Sequence, residues 1–310
     1  MRPPSPSPGP RDPAHAPLAD DGKAPRTLGV IGGSGLYQLE SLTDVEELDV
    51  TTPFGDPSDT LMTGTIGATR LLFLPRHGRN HGIPPHRVNY RANVMALKIA
   101  GAEQILSVSA VGSMKENIHP GDMVIVDQFI DRTRHRLDTF FDDDGVVAHV
   151  AFAEPIDFAL ASALGDAAKR AGASVHEGGT YLCIEGPQFS THAESQLYRS
   201  WGASVIGMTN LPEARLAREA ELPYATLAMA TDYDCWHETH EAVTVEAVIA
   251  VMQKNVAKAK EIILELSGKL PDPAGRPATS ALRGAIITNV DSISAAAREK
   301  LWPLIGKYVP

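Results

Sequence analysis

The chain has 310 residues, 43% of them hydrophobic, and carries 38 acidic against 28 basic side chains for a net charge of −10. That apolar content suits one large α/β domain or two small ones and excludes wholesale disorder. No dense Lys/Arg run is present, which argues against nucleic-acid binding, so an anionic ligand must be held by a few local donors.

Residues 1–27 read as a flexible Pro-rich tail. Met1 to Pro25 contains eight prolines and none of the continuous apolar stretch that a secretory signal requires. No run of 18 apolar residues suggests a transmembrane helix. Two cysteines, Cys183 and Cys235, are too few for a disulfide framework. These features predict a soluble, cytoplasmic protein without a membrane partner.

Order is expected from Leu28, where the strand Leu28–Ile31 runs into Gly32-Gly33-Ser34-Gly35. Leu71–Leu74 is a second buried strand, ending at Pro75-Arg76-His77-Gly78. Asn89–Ala100 has a helical pattern, and Ile105–Ser109 is a strand entering a turn at Ala110–Ser113. Met123–Val126 is a strand, Ile156–Ala171 a helix, Thr180–Glu185 a strand and Ala193–Trp201 a helix. Ser204–Met208 is a strand, Glu213–Ala220 a helix and Ala225–Ala230 a strand. Val245–Leu266 is the clearest helix, with apolar positions at helical spacing. After Leu270 a Pro/Gly-rich linker leads to one more helix, Asp291–Ile305, capped by Asp291 or Ser292. Strands that alternate with helices and read as continuous apolar runs imply an α/β fold with a central sheet covered on both faces. The expected division is a tail (1–27), one catalytic-sized domain (28–268) and a C-terminal linker and helix (269–310).

Several strand ends carry residues with chemical potential. Gly32–Gly35 lets backbone N–H groups approach an anion, with Ser34 adding a hydroxyl, although the same glycines also suit a plain tight turn. The loop is neither a dinucleotide fingerprint nor a Walker A motif. Arg76 offers a planar fork that matches phosphate oxygens and His77 a further donor; the alternative is an exposed basic loop. Phe189 can present a ring to a planar base or serve as a core aromatic, and Met208 can lie under a ribose or fill the core. Asp232 and Asp234, two residues apart after an apolar strand, point to the same side of an extended segment. Two acids in one cleft repel, so one keeps a proton towards neutral pH and can act as an acid. A charged surface face is the alternative, and the flanking strand and Trp236 weigh against it. His237 and His240 beside these acids match no zinc pattern, and no metal is expected.

Together these segments resemble the 5′-methylthioadenosine phosphorylases of the purine nucleoside phosphorylase superfamily. The resemblance runs from Leu28 to Leu266. It rests on Ile31–Leu36, Thr52-Pro53-Phe54-Gly55, Arg76–Arg79, Val88-Asn89-Tyr90, Gly121-Asp122, Asp127–Thr133, Glu185-Gly186-Pro187 and Ala228–Trp236. It implies a single domain built on a twisted mixed sheet flanked by helices, and cleavage of methylthioadenosine by phosphate to adenine and 5-methylthioribose 1-phosphate in purine and methionine salvage. It implies no cofactor, phosphate being a co-substrate. Phosphate would be held by Ser34, Arg76, His77, Ser109, the backbone N–H of Ala110, and Thr209. Met208 would sit at the ribose, Phe189 near base and sugar, and Thr231, Asp232 and Asp234 at the purine. Val245, Val248 and Ile249 would line the methylthio pocket. His149 resembles a residue that enters the site from a neighbouring subunit, which implies a homotrimer. The sequence departs from the pattern at Gln188, where Arg is common, at Gly207, where Asn is common, and at Ser34 and Ser109, where Thr is common. Two other functions fit less well. One is a purine nucleoside phosphorylase of broader or 6-oxopurine specificity, which would favour Asn at 232. The other is a phosphate- or nucleotide-binding protein without chemistry.

Overall fold

A computed structural model describes residues 26–33, 35–36, 38–142, 145–237 and 245–309, leaving aside the side chains of 245–249. The strands are β1 (Arg26–Gly32), β2 (Thr43–Leu48), β3 (Leu61–Ile66), β4 (Thr69–Pro75), β5 (Gln104–Ser113), β6 (Met123–Ile125), β7 (Gln128–Arg132), β8 (Val175–Glu177), β9 (Thr180–Ile184), β10 (Val205–Gly207) and β11 (Tyr224–Asp232). The helices are α1 (Tyr90–Ile99), α2 (Phe158–Arg170), α3 (His192–Ser200), α4 (Asn210–Glu219), α5 (Val245–Ser267) and α6 (Ala295–Ile305).

Among the described residues one mixed sheet runs β2-β3-β4-β1-β5-β10-β9-β7, with β11 pairing both β5 and β6, and β6 pairing β8. Its centre is parallel: β1 lies between β4 and β5, and β11 lies along β5. The strands there are buried on both faces, as their sequences imply. Along β4, Leu71 and Phe73 join one apolar cluster, and Leu72 and Leu74 join the other. The first cluster is completed by α2 and α5, the second by α1, α4 and α6. Caps set where helices begin: Asn89 accepts from Ala92 N at 3.1 Å, Asp157 accepts from Leu160 N at 2.8 Å, and Thr191 with Glu194 forms a capping box.

The structure extends the sequence reading in three places. Strand β5 continues through Ala110–Ser113, where a turn was expected, because these residues stay paired: Ala110–Gly112 run parallel to β11, and Gly112 and Ser113 pair antiparallel with β10. Strands β2, β3, β7 and β8 have no counterpart in the reading: β2 is exposed and acidic, and β8 has three residues. Helix α6 starts at Ala295 with Ser294 as its cap, not at Asp291, because residues 290–292 form a separate 3-10 turn. Its Ala297, Leu301, Leu304 and Ile305 are buried in the α1/α4 cluster.

Candidate active site

The parallel strands β1, β4, β5 and β11 present their carboxyl ends on one side of the sheet, the usual ligand position in such folds. A cavity of about 460 Å³ opens there. It is lined by Gly33, Gly35, Arg76, His77, Ser109, Ala110, Phe189, Met208, Thr209, Thr231, Asp232 and Asp234, among others. One wall thus gathers residues from four strand ends and from segments more than 150 positions apart in the chain. Ser34 lies outside the described residues, as do the side chains of Val245, Val248 and Ile249. From the same helix, Met252 and Val256 line the cavity.

Arg76 follows β4 and is buried, not an exposed loop residue. Its Nε donates to Glu213 at 2.8 Å and its Nη2 to the other Glu213 oxygen at 3.1 Å. Nη2 also donates to Ser107 Oγ at 2.8 Å, and Nη1 to the Val108 carbonyl at 3.1 Å. Nη2 also donates to the Ile31 carbonyl at 3.3 Å, so among these contacts only Nη1 keeps a hydrogen without a protein acceptor. Burial opposes the charge, and the Glu213 carboxylate overrides that, so the guanidinium is held above its usual range. Behind it, Tyr224 donates to Glu213 at 2.9 Å, and Asn210 Nδ2 donates to Ser107 at 2.9 Å and Tyr224 at 3.0 Å.

His77 Nδ1 donates to the Ile83 carbonyl at 2.8 Å, which leaves Nε2 as the free ring nitrogen. Burial, with the Arg76 charge beside it, lowers its pKa to about 4. The ring packs at a 34° tilt against that of His81, 4.5 Å between centroids, and His81 also lines the cavity. Arg79 does not: it pairs with Glu47 at 2.7 Å and Asp59 at 3.1 Å. Ser109 and Thr209 are buried with their hydroxyls 3.0 Å apart.

Asp232 closes β11. Thr231 Oγ1 donates to one of its oxygens at 2.7 Å and the backbone N–H of Asp234 to the other at 3.0 Å. Burial raises the pKa of Asp232; the Thr231 hydroxyl opposes this and the Asp234 carboxylate adds to it. The acid can stand so close to β5 because Gly112 faces it: a Cβ there would lie 3.1 Å from Asp232 Oδ1. Asp234 is gripped from α3 by the buried Ser195 hydroxyl. Trp236 anchors the segment through Nε1 to the Ser113 carbonyl at 2.8 Å.

Phe189 lines the cavity but is 83% exposed, so it belongs to the rim and not to the core. His149 does not reach the cavity of its own chain. It is exposed on a bridge between Ala148 and Ile286, with its N–H donating to the Ala285 carbonyl at 2.9 Å. His237 stacks on Tyr233, 4.6 Å between centroids, and His240 lies outside the described residues.

The sequence reading missed the residues that hold these groups: Glu213, Asn210, Ser195, Tyr181 and Arg136. Arg136 donates to the Glu185 carbonyl at 2.7 Å and the Leu211 carbonyl at 2.6 Å, tying together the turns that carry Phe189 and Thr209. These are single polar residues within helices, strands or loops, and no local pattern marks them.

The buried Arg76 guanidinium and the buried Ser109 and Thr209 hydroxyls thus line the same cavity as the acids Asp232 and Asp234. Residues 27–267 match the phosphorylase superfamily. The chain belongs to that superfamily and, within it, to the methylthioadenosine phosphorylases. It is 56% identical over 285 residues to an S-methyl-5′-thioadenosine phosphorylase of Geobacter sulfurreducens, covering 92% of this chain and 99% of the relative. It is 54% identical to the enzyme of that name from Thermosynechococcus vestitus, over 91% of this chain and 99% of the relative. The fold is that of a methylthioadenosine phosphorylase from an antarctic soil metagenomic library, with TM-score 0.85 and 45% identity over 91% of this chain and 99% of the other. The methylthioadenosine phosphorylase of Schistosoma mansoni in complex with adenine gives TM-score 0.80 and 37% identity over 84% and 99%. The 285-residue alignment is longer than the span Leu28–Leu266 that the motifs cover, so the relationship reaches into the terminal segments.

Proposed function

We propose that the chain is a pentosyltransferase that cleaves 5′-methylthioadenosine with inorganic phosphate, giving adenine and 5-methylthioribose 1-phosphate. The observation that carries this reading is one cavity lined both by Arg76, His77, Ser109 and Thr209 and by Thr231, Asp232 and Asp234. A phosphate oxygen attacks C1′ of the ribose as the C1′–N9 bond breaks. The bonding pair passes into the purine, and Asp232 delivers its proton to N7, acting as general acid. Charge develops on the ribose as in other glycosyl transfers, and the phosphate next to C1′ balances it. Asp234, oriented by Ser195, accepts from the 6-amino group. A 6-oxopurine would present an acceptor there, which a carboxylate pair disfavours.

On this reading phosphate contacts Ser34, Arg76, His77, Ser109, the Ala110 N–H and Thr209. Met208 and Phe189 flank the sugar and base, and Val245, Val248 and Ile249 receive the methylthio group. His149 completes the site of a neighbouring copy in a homotrimer. Its exposed bridge and the exposed rim residue Phe189 support that arrangement. We assign the enzyme to purine and methionine salvage in the cytoplasm, where Cys183 and Cys235, both free here, remain thiols.

The test is to incubate the protein with methylthioadenosine, with and without phosphate, and to quantify the products. Adenine and methylthioribose 1-phosphate should appear only with phosphate. Equal adenine release in phosphate-free buffer, with free methylthioribose, would contradict phosphorolysis.

A further inference from the structure

Gly207 ends β10 without a side chain. The space is not empty. A Cβ built on Gly207 would lie 2.0 Å from the hydroxyl oxygen of Tyr181 and 2.6 Å from its ring carbon. Tyr181 projects from β9, the parallel neighbour of β10, and is fully buried. Its hydroxyl lies 3.2 Å from Ser109 Oγ and 3.5 Å from the backbone nitrogen of Thr209, whose own hydroxyl is 3.0 Å from Ser109.

We propose that Tyr181 is a positioning residue for phosphate: it occupies the volume that a side chain at 207 would need and sets the direction of the Ser109–Thr209 hydrogen bond, so that a hydroxyl proton is presented to the anion. The Thr209 N–H can only donate, so the Tyr181 oxygen accepts there. The phenolic proton must then go to the hydroxyl network. Ser109 Oγ, on accepting this hydrogen, passes its own proton towards Thr209 Oγ1 3.0 Å away, with the Ala110 carbonyl at 3.3 Å as a further acceptor, and Thr209 keeps its proton for a phosphate oxygen. The bond between Ser109 and Thr209 takes one of their two protons with or without the phenol; without it, Ser109 Oγ loses a donor and nothing sets the direction of that bond. Burial pushes the Tyr181 pKa up to about 12, so the donor stays protonated at working pH.

This inference rests on the phosphate reading above, and its test separates the two. Tyr181→Phe keeps the ring and removes the hydroxyl. Its phosphate KM should rise about fivefold, the order expected for one hydrogen bond, while its methylthioadenosine KM moves less than twofold. A phosphate KM within twofold of wild type, or an equal rise in both constants, would overturn the proposal. Failure of the phosphate reading would show instead in the wild type, as turnover without phosphate. The volume half is tested separately. Gly207→Ala should lower Tm, and combining it with Tyr181→Leu should restore Tm while phosphate KM stays high. A Gly207→Ala protein with wild-type Tm would show that Tyr181 does not hold that space.

Discussion

The floor of the cavity and its rim are built in different ways. On the floor, each described charged or hydroxyl group has protein partners before any ligand arrives: Arg76 with Glu213, Ser109 with Thr209 and Tyr181, Asp232 with Thr231 and Asp234. At the rim, Phe189 is 83% exposed and Met252 39% exposed, and His149 stands on a distant exposed bridge. A floor that must hold an anion and protonate a base needs fixed dipoles, which burial and hydrogen bonding supply. A rim that receives an apolar group needs only to be covered, and a second copy of the chain can do that.

The largest effect expected from breaking this contrast lies in the floor. Arg76→Ala leaves Glu213 as an unpaired buried carboxylate, and Glu213→Ala leaves a buried guanidinium. Each should cost about 3–5 kcal/mol of stability, the usual penalty for removing one partner of a buried pair. Chemical denaturation should show both variants far below wild type. A variant of normal stability would mean that the pair is not part of the scaffold.

Altering the rim should leave folding intact. His149→Ala is expected to keep Tm within a degree or two and to lower kcat/KM for methylthioadenosine by about tenfold, the scale of one well-placed charged or polar contact. Mixing His149→Ala with an inactive Asp232 variant should recover activity in hybrid trimers, because each chain supplies what the other lacks. A monomeric wild type with full activity would remove this half of the account.

A subtler effect concerns pH. His77 has a folded pKa of about 4 against an ordinary value of 6.5, so the unfolded chain takes up the proton first as pH falls. The stability it contributes is therefore present above about pH 6.5 and is lost as the pH falls from there to about 4. Melting curves across that window should show a steeper acid-side loss for wild type than for His77→Asn. Bound phosphate, which offers a counter-charge to the imidazolium, should make the wild-type loss shallower. The smallest effect is expected for Ser195→Ala, which frees Asp234 without removing it: a few-fold rise in nucleoside KM, with phosphate KM unchanged.

The same contrast explains what could be read in the sequence. Helices α1, α2 and α5 were legible because apolar spacing marks them, and the parallel centre because its strands are unbroken apolar runs. Arg76, Ser109, Thr209 and Asp232 were legible as reactive types at strand ends. Their partners were not: Glu213 lies 137 residues from Arg76, and nothing local distinguishes it from any helix-start acid. Gly207 shows the limit most clearly. Sequence alone registers a lost side chain, whereas the structure shows Tyr181, 26 positions earlier, in its place. Strand β2 escaped notice because an exposed edge strand rich in acids carries no apolar alternation.

The central claim is that the cavity fixes phosphate while Asp232 protonates N7 of the purine and the Asp232–Asp234 pair selects a 6-amino group. The most direct test compares kcat/KM for methylthioadenosine and methylthioinosine in wild type and Asp232→Asn at saturating phosphate. Asn keeps the size of Asp and can donate a hydrogen bond, but it cannot give up a proton. The value for methylthioadenosine should fall about 10²-fold or more, the scale of a lost general acid, and that for the 6-oxo nucleoside much less. Equal falls for both nucleosides would contradict the claim that the Asp232–Asp234 pair reads the 6-position.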